Sequence, residues 1–267
     1  MQRRWIELDG LANLRDVGGI PTEDGGEIQP GRLLRSDNLQ SLTPEDVDRL
    51  LELGVTDVVD LRSDYEAEQE GPGPMRKTDV AHHQHSMFQE WRPGVGEDKP
   101  AGRPEALPDK ALPWVDLKPS VELDNPAASV YLSYLVDRPD SVLAALRVIA
   151  EAPGATLVHC AAGKDRTGTI VALALTVAGA RRDEVVADYA ASSERVEGVL
   201  ARLLATETYA ENLSGRPIES HLSHAETMDA FLTHVDETYG GVEPMLEKLG
   251  WTAEDTDRLR AKLRSAP

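Results

Sequence analysis

The sequence lacks the features that mark several large classes of protein. Its 267 residues include one cysteine, so no intramolecular disulfide can form and an oxidising compartment would add nothing to the fold. No stretch approaches the roughly 18 apolar residues of a transmembrane helix, and no apolar run follows the basic residues at the N-terminus, as it would in a signal peptide. These absences predict a cytoplasmic protein, with secretion without a cleavable signal peptide as the alternative.

Positive charge is also scarce in this chain. Lys and Arg total 28 against 47 Asp and Glu, which gives a formal net charge of −19. Nucleic acids and anionic membranes bind through clustered cations, so the excess of acid disfavours both as standing partners. Any charge that binds phosphate must therefore be gathered in a pocket. The length fits one large α/β domain spanning residues 1–267, which we expect to be a monomer.

The N-terminal half has the pattern of a β-α-β unit. Residues 33–36 (LLRS) form a short apolar segment typical of a strand. Thr43 and Pro44 predict the start of a helix, because threonine caps free amides and proline suits the first helical position, and Gly54 predicts its end. The β-branched run 55–61 then predicts a buried parallel strand, which completes a right-handed crossover.

Residues 92–126 interrupt this regularity. Seven prolines fall between Pro93 and Pro126 without any period, which predicts a long proline-rich loop inside the domain, at the flank of the active site. After it, a helical stretch is predicted from Asn125 to about Ala150, with a break at Pro139. The remaining pattern predicts a buried strand at 155–159 and helices over 167–179, 182–193, 195–211, 224–239, 242–249 and 253–263.

The segment 159–168 (HCAAGKDRTG) has the composition of an anion-binding loop. Cys160 and Arg166 are separated by five residues, between a predicted strand and a predicted buried helix. A helix N-terminus favours the thiolate form of a cysteine, and the planar guanidinium of Arg166 matches two phosphate oxygens. A tetrahedral dianion can be bound by the inward-turned amides of Ala161, Ala162, Gly163, Lys164, Asp165 and Arg166.

These residues predict hydrolysis of a phosphate monoester through a phosphocysteine at Cys160, without metal or cofactor. The Thr167 hydroxyl can donate to Cys160 and help the thiolate leave, while His159 supports the shape of the loop rather than acting as a base. A lone cysteine in such a turn is ordinarily a small buried hydrophobe. Here the cysteine, glycine, arginine and hydroxyl all fall where an anion cradle needs them, which favours the catalytic interpretation.

The loop resembles the His-Cys-x5-Arg-Ser/Thr signature of the protein tyrosine phosphatase superfamily. Its Gly-Lys-Asp-Arg version is similar to the mycobacterial protein tyrosine phosphatase B and atypical lipid phosphatase branch. The segments 13–19 (NLRDVGG), 31–36 (GRLLRS) and 57–62 (DVVDLR) match as well, as do 186–189 and 236–240. The resemblance implies a mostly parallel sheet of four to five strands flanked by helices, and a helical lid after the phosphate loop, at residues 195–235.

The leaving group needs a proton, and three carboxylic acids are candidates for the general acid. Asp165 is the acid that the resemblance implies, and Lys164 beside it points a cation toward the loop rim. Asp60 ends the strand expected next to the cysteine strand, although it could equally be a structural partner of an arginine such as Arg15 or Arg62. Asp116, in Trp-Val-Asp, is the third candidate, with a solvated loop acid as its alternative.

The run 82–85 (HHQH) raises the question of a metal site. His83 and His85 would share one face of a strand, a spacing that metals can use. No third ligand is evident, so the run is interpreted as edge-strand or surface histidines.

The predicted substrates are phosphotyrosine, phosphoserine or phosphothreonine in a protein or peptide, or a phosphoinositide headgroup. A phosphoinositide-specific lipid phosphatase is the main alternative function. A rhodanese-like sulfurtransferase is another, but a persulfide carrier needs no proton donor beside its cysteine. A phosphate-binding module without turnover would be expected only if Cys160 or Arg166 were replaced.

Overall fold

A β-sheet forms the centre of the protein in the computed structural model, which describes residues 4–71, 73–89 and 118–265. Its strands, in the spatial order β1-β2-β3-β6-β4-β5, are β1 (Arg4–Trp5), β2 (Arg15–Asp16), β3 (Leu33–Ser36), β4 (Val55–Asp60), β5 (Ala81–Gln84) and β6 (Ala155–His159). The four strands β3, β6, β4 and β5 are parallel, whereas β1 and β2 extend the sheet antiparallel to them. The predicted α/β class with a mostly parallel sheet is confirmed.

Helices cover both faces of the sheet. In the described ranges they are α1 (Pro44–Glu52), α2 (Asp64–Glu70), α3 (Pro126–Asp137), α4 (Pro139–Glu151), α5 (Asp165–Val177), α6 (Arg182–Ala191), α7 (Val196–Leu204), α8 (Glu207–Leu213), α9 (Ala225–Tyr239), α10 (Val242–Leu249) and α11 (Ala253–Leu263). The prediction of a helical stretch broken at Pro139 corresponds to α3 and α4. None of the described helices is long and apolar enough to cross a membrane.

The first crossover follows the local signals in the sequence. Thr43 caps α1 and forms a capping box with Asp46, and Pro44 occupies the first turn. Gly54 has φ +79°, a left-handed conformation that favours glycine, and it turns the chain directly into β4. The predicted strand-helix-strand unit is therefore confirmed at β3, α1 and β4.

Neighbouring residues of the central strands serve opposite faces of the sheet. In β4, Val58 packs in the cluster beneath α1, whereas Val59 packs in the larger cluster formed with α3, α4, α5 and α9. Leu157 and Val158 of β6 divide in the same way. Because side chains alternate along a strand, the central strands are buried on both faces, as the run of β-branched residues indicates.

Two regions differ from the sequence-based expectation or lie outside it. The segment 195–211, predicted as one helix, is divided between α7 and α8, with an extended residue at Thr206. Tyr209 is six residues beyond Leu203 and would face elsewhere in one straight helix, but the break lets both pack in one cluster. Most of the predicted proline-rich loop 92–126 lies outside the described residues; its last part, 118–125, contains no helix or strand.

Candidate active site

The segment between β6 and α5 forms a tight loop around a cavity. Cys160 follows β6 directly, is 2% exposed, and lines a cavity of about 200 Å³ together with Asp165 and Arg166. Gly163 has φ +66°, and a Cβ atom there would lie 2.4 Å from the carbonyl carbon of Ser36 in β3. Only glycine allows the loop to lie this close to the neighbouring strand.

The loop precedes the N-terminus of α5, a helix of 13 residues. The first amides of a helix have no partners within it, and an anion or a capping side chain normally satisfies them. Lys164 is the N-cap residue of α5, and its side chain makes no capping hydrogen bond. The amides and the helix dipole are thus left available to an anion bound above Cys160.

Arg166 is held by a carboxylate from another helix. Its Nη1 and Nη2 atoms donate to Oε2 and Oε1 of Glu66 at 2.5 and 2.9 Å, and its guanidinium lies 5.2 Å from the ring centre of Phe88. Glu66 is completely buried in α2, where it also completes a capping box with Ser63. The hydroxyl of Tyr209 also donates to Glu66, at 3.0 Å from Oε1. This two-point contact fixes the direction in which the arginine points.

Two carbonyl groups of the loop accept hydrogen bonds from the side chains of Asn13 and Arg35. Asn13 donates from Nδ2 to the carbonyl oxygens of Ala162 at 2.9 Å and Gly163 at 3.2 Å. Arg35 of β3 donates from Nη2 to the Gly163 carbonyl at 2.9 Å. With these carbonyls turned outward, the peptide amides are left free to turn toward the cavity.

Asn13 and Arg35 are themselves held by a buried ion cluster, which consists of Asp188, Arg15 and Arg35. Asp188 of α6 accepts from Nε of Arg15 at 2.9 Å and from Nη1 of Arg35 at 2.5 Å. Arg15 also donates to Oδ1 of Asn13 at 2.7 Å. Burial by itself would raise the pKa of Asp188, but the two arginines lower it to about 2, so the cluster is charged at neutral pH.

Asp165 stands at the edge of the cavity, beside the cysteine loop. Its Oδ1 atom accepts hydrogen bonds from the Tyr131 hydroxyl and, at 3.0 Å, from Nζ of Lys164. Burial would raise the pKa of Asp165, but Lys164 and Tyr131 outweigh it and hold the pKa below its usual value. The structure therefore brings Asp165, Arg166 and Cys160 to one cavity, with Lys164 paired to Asp165 rather than free in solvent.

Asp60 lies in different surroundings from Asp165. It accepts three side-chain hydrogen bonds of 2.6–3.1 Å from Arg62, and it lines a second cavity, of about 400 Å³, to which Cys160 does not belong. Burial would raise its pKa, but His159 and Arg62 lower it below the usual value. This arrangement favours the structural partnership with Arg62 over a role as proton donor.

His159 lies behind the loop, as a shaping residue would. Its Nδ1 atom is 3.3 Å from the Cys160 carbonyl oxygen, and its Nε2 atom is 3.6 Å from Asp60. Burial lowers its pKa to about 4, so the imidazole is neutral at physiological pH. The Thr167 hydroxyl is buried and has no hydrogen-bond partner in the described part of the chain, so it does not make the bond to Cys160 that its position suggests. Asp116 lies outside the described residues.

The histidine run occupies the edge strand of the sheet. His83 in β5 bonds through Nε2 to Asp57 at 2.9 Å, and its ring stacks on that of His85 at 6.3 Å. Across the described ranges, no group of three histidine, cysteine or acidic residues is placed to hold a metal ion. The edge-strand interpretation describes these histidines best.

Helices α7 and α8 form the outer wall of the cavity. Their apolar residues pack against Ala161 of the loop. Arg202 of α7 forms an ion pair with the buried Asp37, the residue that follows β3. The same segment and the turn after it supply the wall residues Val196, Val199, Leu200, Leu203, Asn212, Leu213, Arg216, Ser220 and His221.

Several of the residues that hold Arg166, Asp165 and the cysteine loop in place cannot be predicted from the sequence. Ser63-x-x-Glu66 is recognisable as a capping box, but nothing local indicates that Glu66 also binds Arg166, 100 residues away. Tyr131 gives no signal at all, because a tyrosine on an apolar helix face is ordinarily core. Asn13, Arg35 and Asp188 fall inside the segments that carry the resemblance, which marks them without giving their contacts.

A strand, a loop that begins with cysteine and ends with arginine, and a helix whose N-cap side chain makes no capping hydrogen bond define the class of cysteine-dependent phosphatases. The model of the tyrosine phosphatase family matches residues 6–265. The chain belongs to this family, and it is a phosphoric monoester hydrolase.

Individual relatives agree with this assignment. The triple specificity protein phosphatase PtpB of Mycobacterium tuberculosis is 32% identical over 279 residues, covering 96% of this chain and 98% of that protein. A tyrosine-protein phosphatase of Nostoc commune is 28% identical over 249 residues, covering 90% and 76%. The alignment with the crystal structure of P. aeruginosa TpbA in complex with pTyr covers 86% of this chain and 94% of that chain, at 14% identity and a TM-score of 0.37.

Proposed function

We propose that this phosphatase acts on phosphotyrosine through a phosphocysteine at Cys160. The observation that carries the proposal is the cavity that Cys160, Asp165 and Arg166 share at the N-terminus of α5. Phosphoryl oxygens would be bound by the Arg166 guanidinium and by the amides of residues 161–166. The outer wall of α7 and α8 is largely apolar, which suits an aromatic leaving group.

The reaction has two steps. In the first, the thiolate of Cys160 forms a bond to phosphorus while the ester P–O bond breaks, and protonated Asp165 donates its proton to the departing oxygen. In the second, the Asp165 carboxylate takes a proton from water as the water oxygen bonds to phosphorus and the S–P bond breaks. Inorganic phosphate leaves, and the thiolate and the protonated acid are restored.

The nucleophile is tested with p-nitrophenyl phosphate. We expect the pure protein to hydrolyse it without added metal, with no effect of EDTA and with inhibition by vanadate. Cys160→Ser should abolish turnover. A Cys160→Ser variant with the activity of the wild type would disprove the phosphocysteine mechanism.

The acid is tested by Asp165→Asn, with Asp183→Asn as the matched control. Asp183 is also an aspartate in the first turn of a helix, but it is exposed and pairs with Arg181. Loss of a general acid typically lowers the rate about 10²–10⁴-fold, so Asp165→Asn should do so on phenyl phosphate, whose leaving group needs a proton. An unchanged rate and pH profile would remove Asp165 from the mechanism.

A phosphoinositide phosphatase is the second candidate function. It is supported by the cationic residues Lys164 and Arg216 that line the cavity, since the phosphates of an inositol headgroup require such partners. The PtpB relative is named a triple specificity phosphatase, which makes several substrate classes worth comparing. Rates on phosphotyrosine peptides, phosphoserine peptides and water-soluble phosphoinositides, measured side by side, decide between the two candidates.

We propose further that residues 195–235 act as a lid in a single domain, with α7 and α8 shielding the phosphocysteine from solvent. The packing of α7 and α8 on Ala161 supports this role.

The cytoplasmic location and the monomeric state are also our proposals. Cell fractionation would test the location, and size-exclusion chromatography with light scattering would test the monomeric state.

A further inference from the structure

Tyr131 connects the general acid to the core of the protein. It lies in α3, is 2% exposed, and donates its hydroxyl proton to Oδ1 of Asp165. Its oxygen is also 2.7 Å from the hydroxyl oxygen of Tyr189 in α6. Since Tyr131 has one phenolic proton and gives it to the carboxylate, Tyr189 must be the donor in the second bond. The hydroxyl groups therefore form a directed chain from Tyr189 through Tyr131 to Asp165.

Both donors to Asp165 reach the same oxygen. Nζ of Lys164 lies 3.0 Å from Oδ1, the atom that Tyr131 also contacts. Oδ2 receives no hydrogen bond from any residue in the described ranges. The carboxyl group is thus held by one oxygen at the cavity edge while the other is left available.

We propose that Tyr131, supported by Tyr189, is a positioning residue that anchors Oδ1 of Asp165 and assigns the transferred proton to Oδ2. The inference rests on the proposed function, in which Asp165 is the general acid. Oδ2–H gives its proton to the departing oxygen as the ester P–O bond breaks. The resulting carboxylate keeps its hydrogen bond from Tyr131, and Oδ2 takes a proton back from the attacking water.

The same contact sets the pH range of the reaction. Burial favours the neutral form of Asp165, and the hydrogen bond from Tyr131 together with the charge of Lys164 opposes it. Removal of the Tyr131 hydroxyl takes away one of the groups that lower this pKa. The pKa of Asp165 must then rise, so the acid keeps its proton to a higher pH.

The test is the pH dependence of kcat/KM for phenyl phosphate in Tyr131→Phe. Hydrogen bonds to a charged group are strong enough to move the fall of activity toward alkaline pH by about one to two units. The maximal rate should fall as well, because the carboxyl is less firmly oriented. With p-nitrophenyl phosphate, whose leaving group departs without a proton, the loss of rate should be smaller.

A double variant separates positioning from a general structural effect. Because Tyr131 acts through Asp165, Tyr131→Phe with Asp165→Asn should have the rate and profile of Asp165→Asn alone. Tyr189→Phe should shift the profile in the same direction by less, and it carries the test if Tyr131→Phe folds poorly. Tyr239→Phe is the control: Tyr239 lies in α9 against Lys248, and its profile should match the wild type.

The outcomes distinguish this inference from the function on which it rests. Independent, multiplicative losses in the double variant, or a Tyr131→Phe profile that overlays the wild type, would overturn the positioning role. If one of these outcomes is found while Cys160→Ser is inactive in the same assays, only the positioning role of Tyr131 is refuted and the phosphocysteine mechanism stands. An active Cys160→Ser would instead refute the proposed function.

Discussion

Glu66 is the residue on which the geometry of Arg166 depends. The two side chains are 0% and 2% exposed and share two hydrogen bonds, so each neutralises the other away from water. Loss of one partner from such a pair leaves a buried charge without compensation. A carboxylate that sequence reasoning does not identify is therefore as necessary to the site as the arginine of the signature.

We expect Glu66→Gln to lower both activity and stability. The variant keeps the size of the side chain but removes its charge, and the free energy of unfolding should fall by about 3–5 kcal/mol. Urea denaturation and kcat/KM on p-nitrophenyl phosphate measure the two effects. Glu52→Gln is the control, because Glu52 is exposed and its pair with Arg49 contributes little. Equal effects of both variants would refute the special role of Glu66.

Gly163 is the second residue whose identity the site requires. Its left-handed φ and its contact with Ser36 both exclude a side chain, so Gly163→Ala should disturb the loop and reduce kcat/KM at least tenfold. Gly31→Ala separates the two causes, because Gly31 has φ +70° but open space around it. The control should lose some stability and retain activity; equal activity of the two variants would show that the contact is unimportant.

At the scale of secondary-structure elements, α8 is linked to Arg166 of the cysteine loop through the carboxylate of Glu66. Tyr209 in α8 is completely buried and donates to Oε1 of Glu66, the same group that holds Arg166. The hydrogen bond from Tyr209 to Glu66 therefore connects α8, in the wall of the cavity, to the carboxylate that orients Arg166. A displaced α8 would remove a donor from Glu66 while the loop itself stayed in place.

Tyr209→Phe tests this link. The lost hydrogen bond to a charged group should cost about 1.5–3 kcal/mol of folding free energy, and kcat/KM should fall by less than in Glu66→Gln. Hydrogen exchange should quicken in α7 and α8 while the amides of β4 and β6 stay protected. The matched control is Tyr65→Phe, in the same region but without a hydroxyl hydrogen bond among the described residues. Uniformly faster exchange would contradict a local link.

At the scale of the whole molecule, the buried ion cluster around Asp188 joins the N-terminal strands, the cysteine loop and α6. The folded-state pKa of Asp188 is about 2, below the ordinary 3.8. A depressed pKa contributes stability above the unfolded pKa, and this contribution disappears as pH falls toward the folded pKa. Acid should therefore loosen the fold and the loop together.

Between pH 4 and pH 2 we expect Asp188 to account for a loss of about 2 kcal/mol in the free energy of unfolding. Asp188→Asn should be less stable at pH 7, because two buried arginines lose their partner, but its stability should fall less steeply below pH 4. Chemical denaturation at a series of pH values measures both. Asp257→Asn, an exposed acid in α11, should leave the profile unchanged; an equally steep acid loss in Asp188→Asn would contradict this account.

Features that are set by residues close together in the sequence can be predicted from the sequence alone. The cysteine loop is continuous, so the spacing of Cys160 and Arg166 is a local property, and the signals at Thr43 and Gly54 act within one helix. The burial of β4 and β6 follows from their own apolar residues. These features predict the fold class and the reaction class before any long-range contact is known.

The tertiary structure decides what surrounds those residues. Glu66 reaches Arg166 from 100 positions away, Asn13 reaches Ala162 from 149, and Tyr131 reaches Asp165 from 34. It also separates Asp60, bound to Arg62, from Asp165, which faces the cavity of Cys160. The contacts of Glu66, Asn13 and Tyr131 have no local signal, because the packing of helices and strands that are distant in the sequence brings each side chain to its partner. The sequence by itself predicts a nucleophile and an anion cradle in the cysteine loop; only the packing places Asp165 in the same cavity and shows which groups hold it.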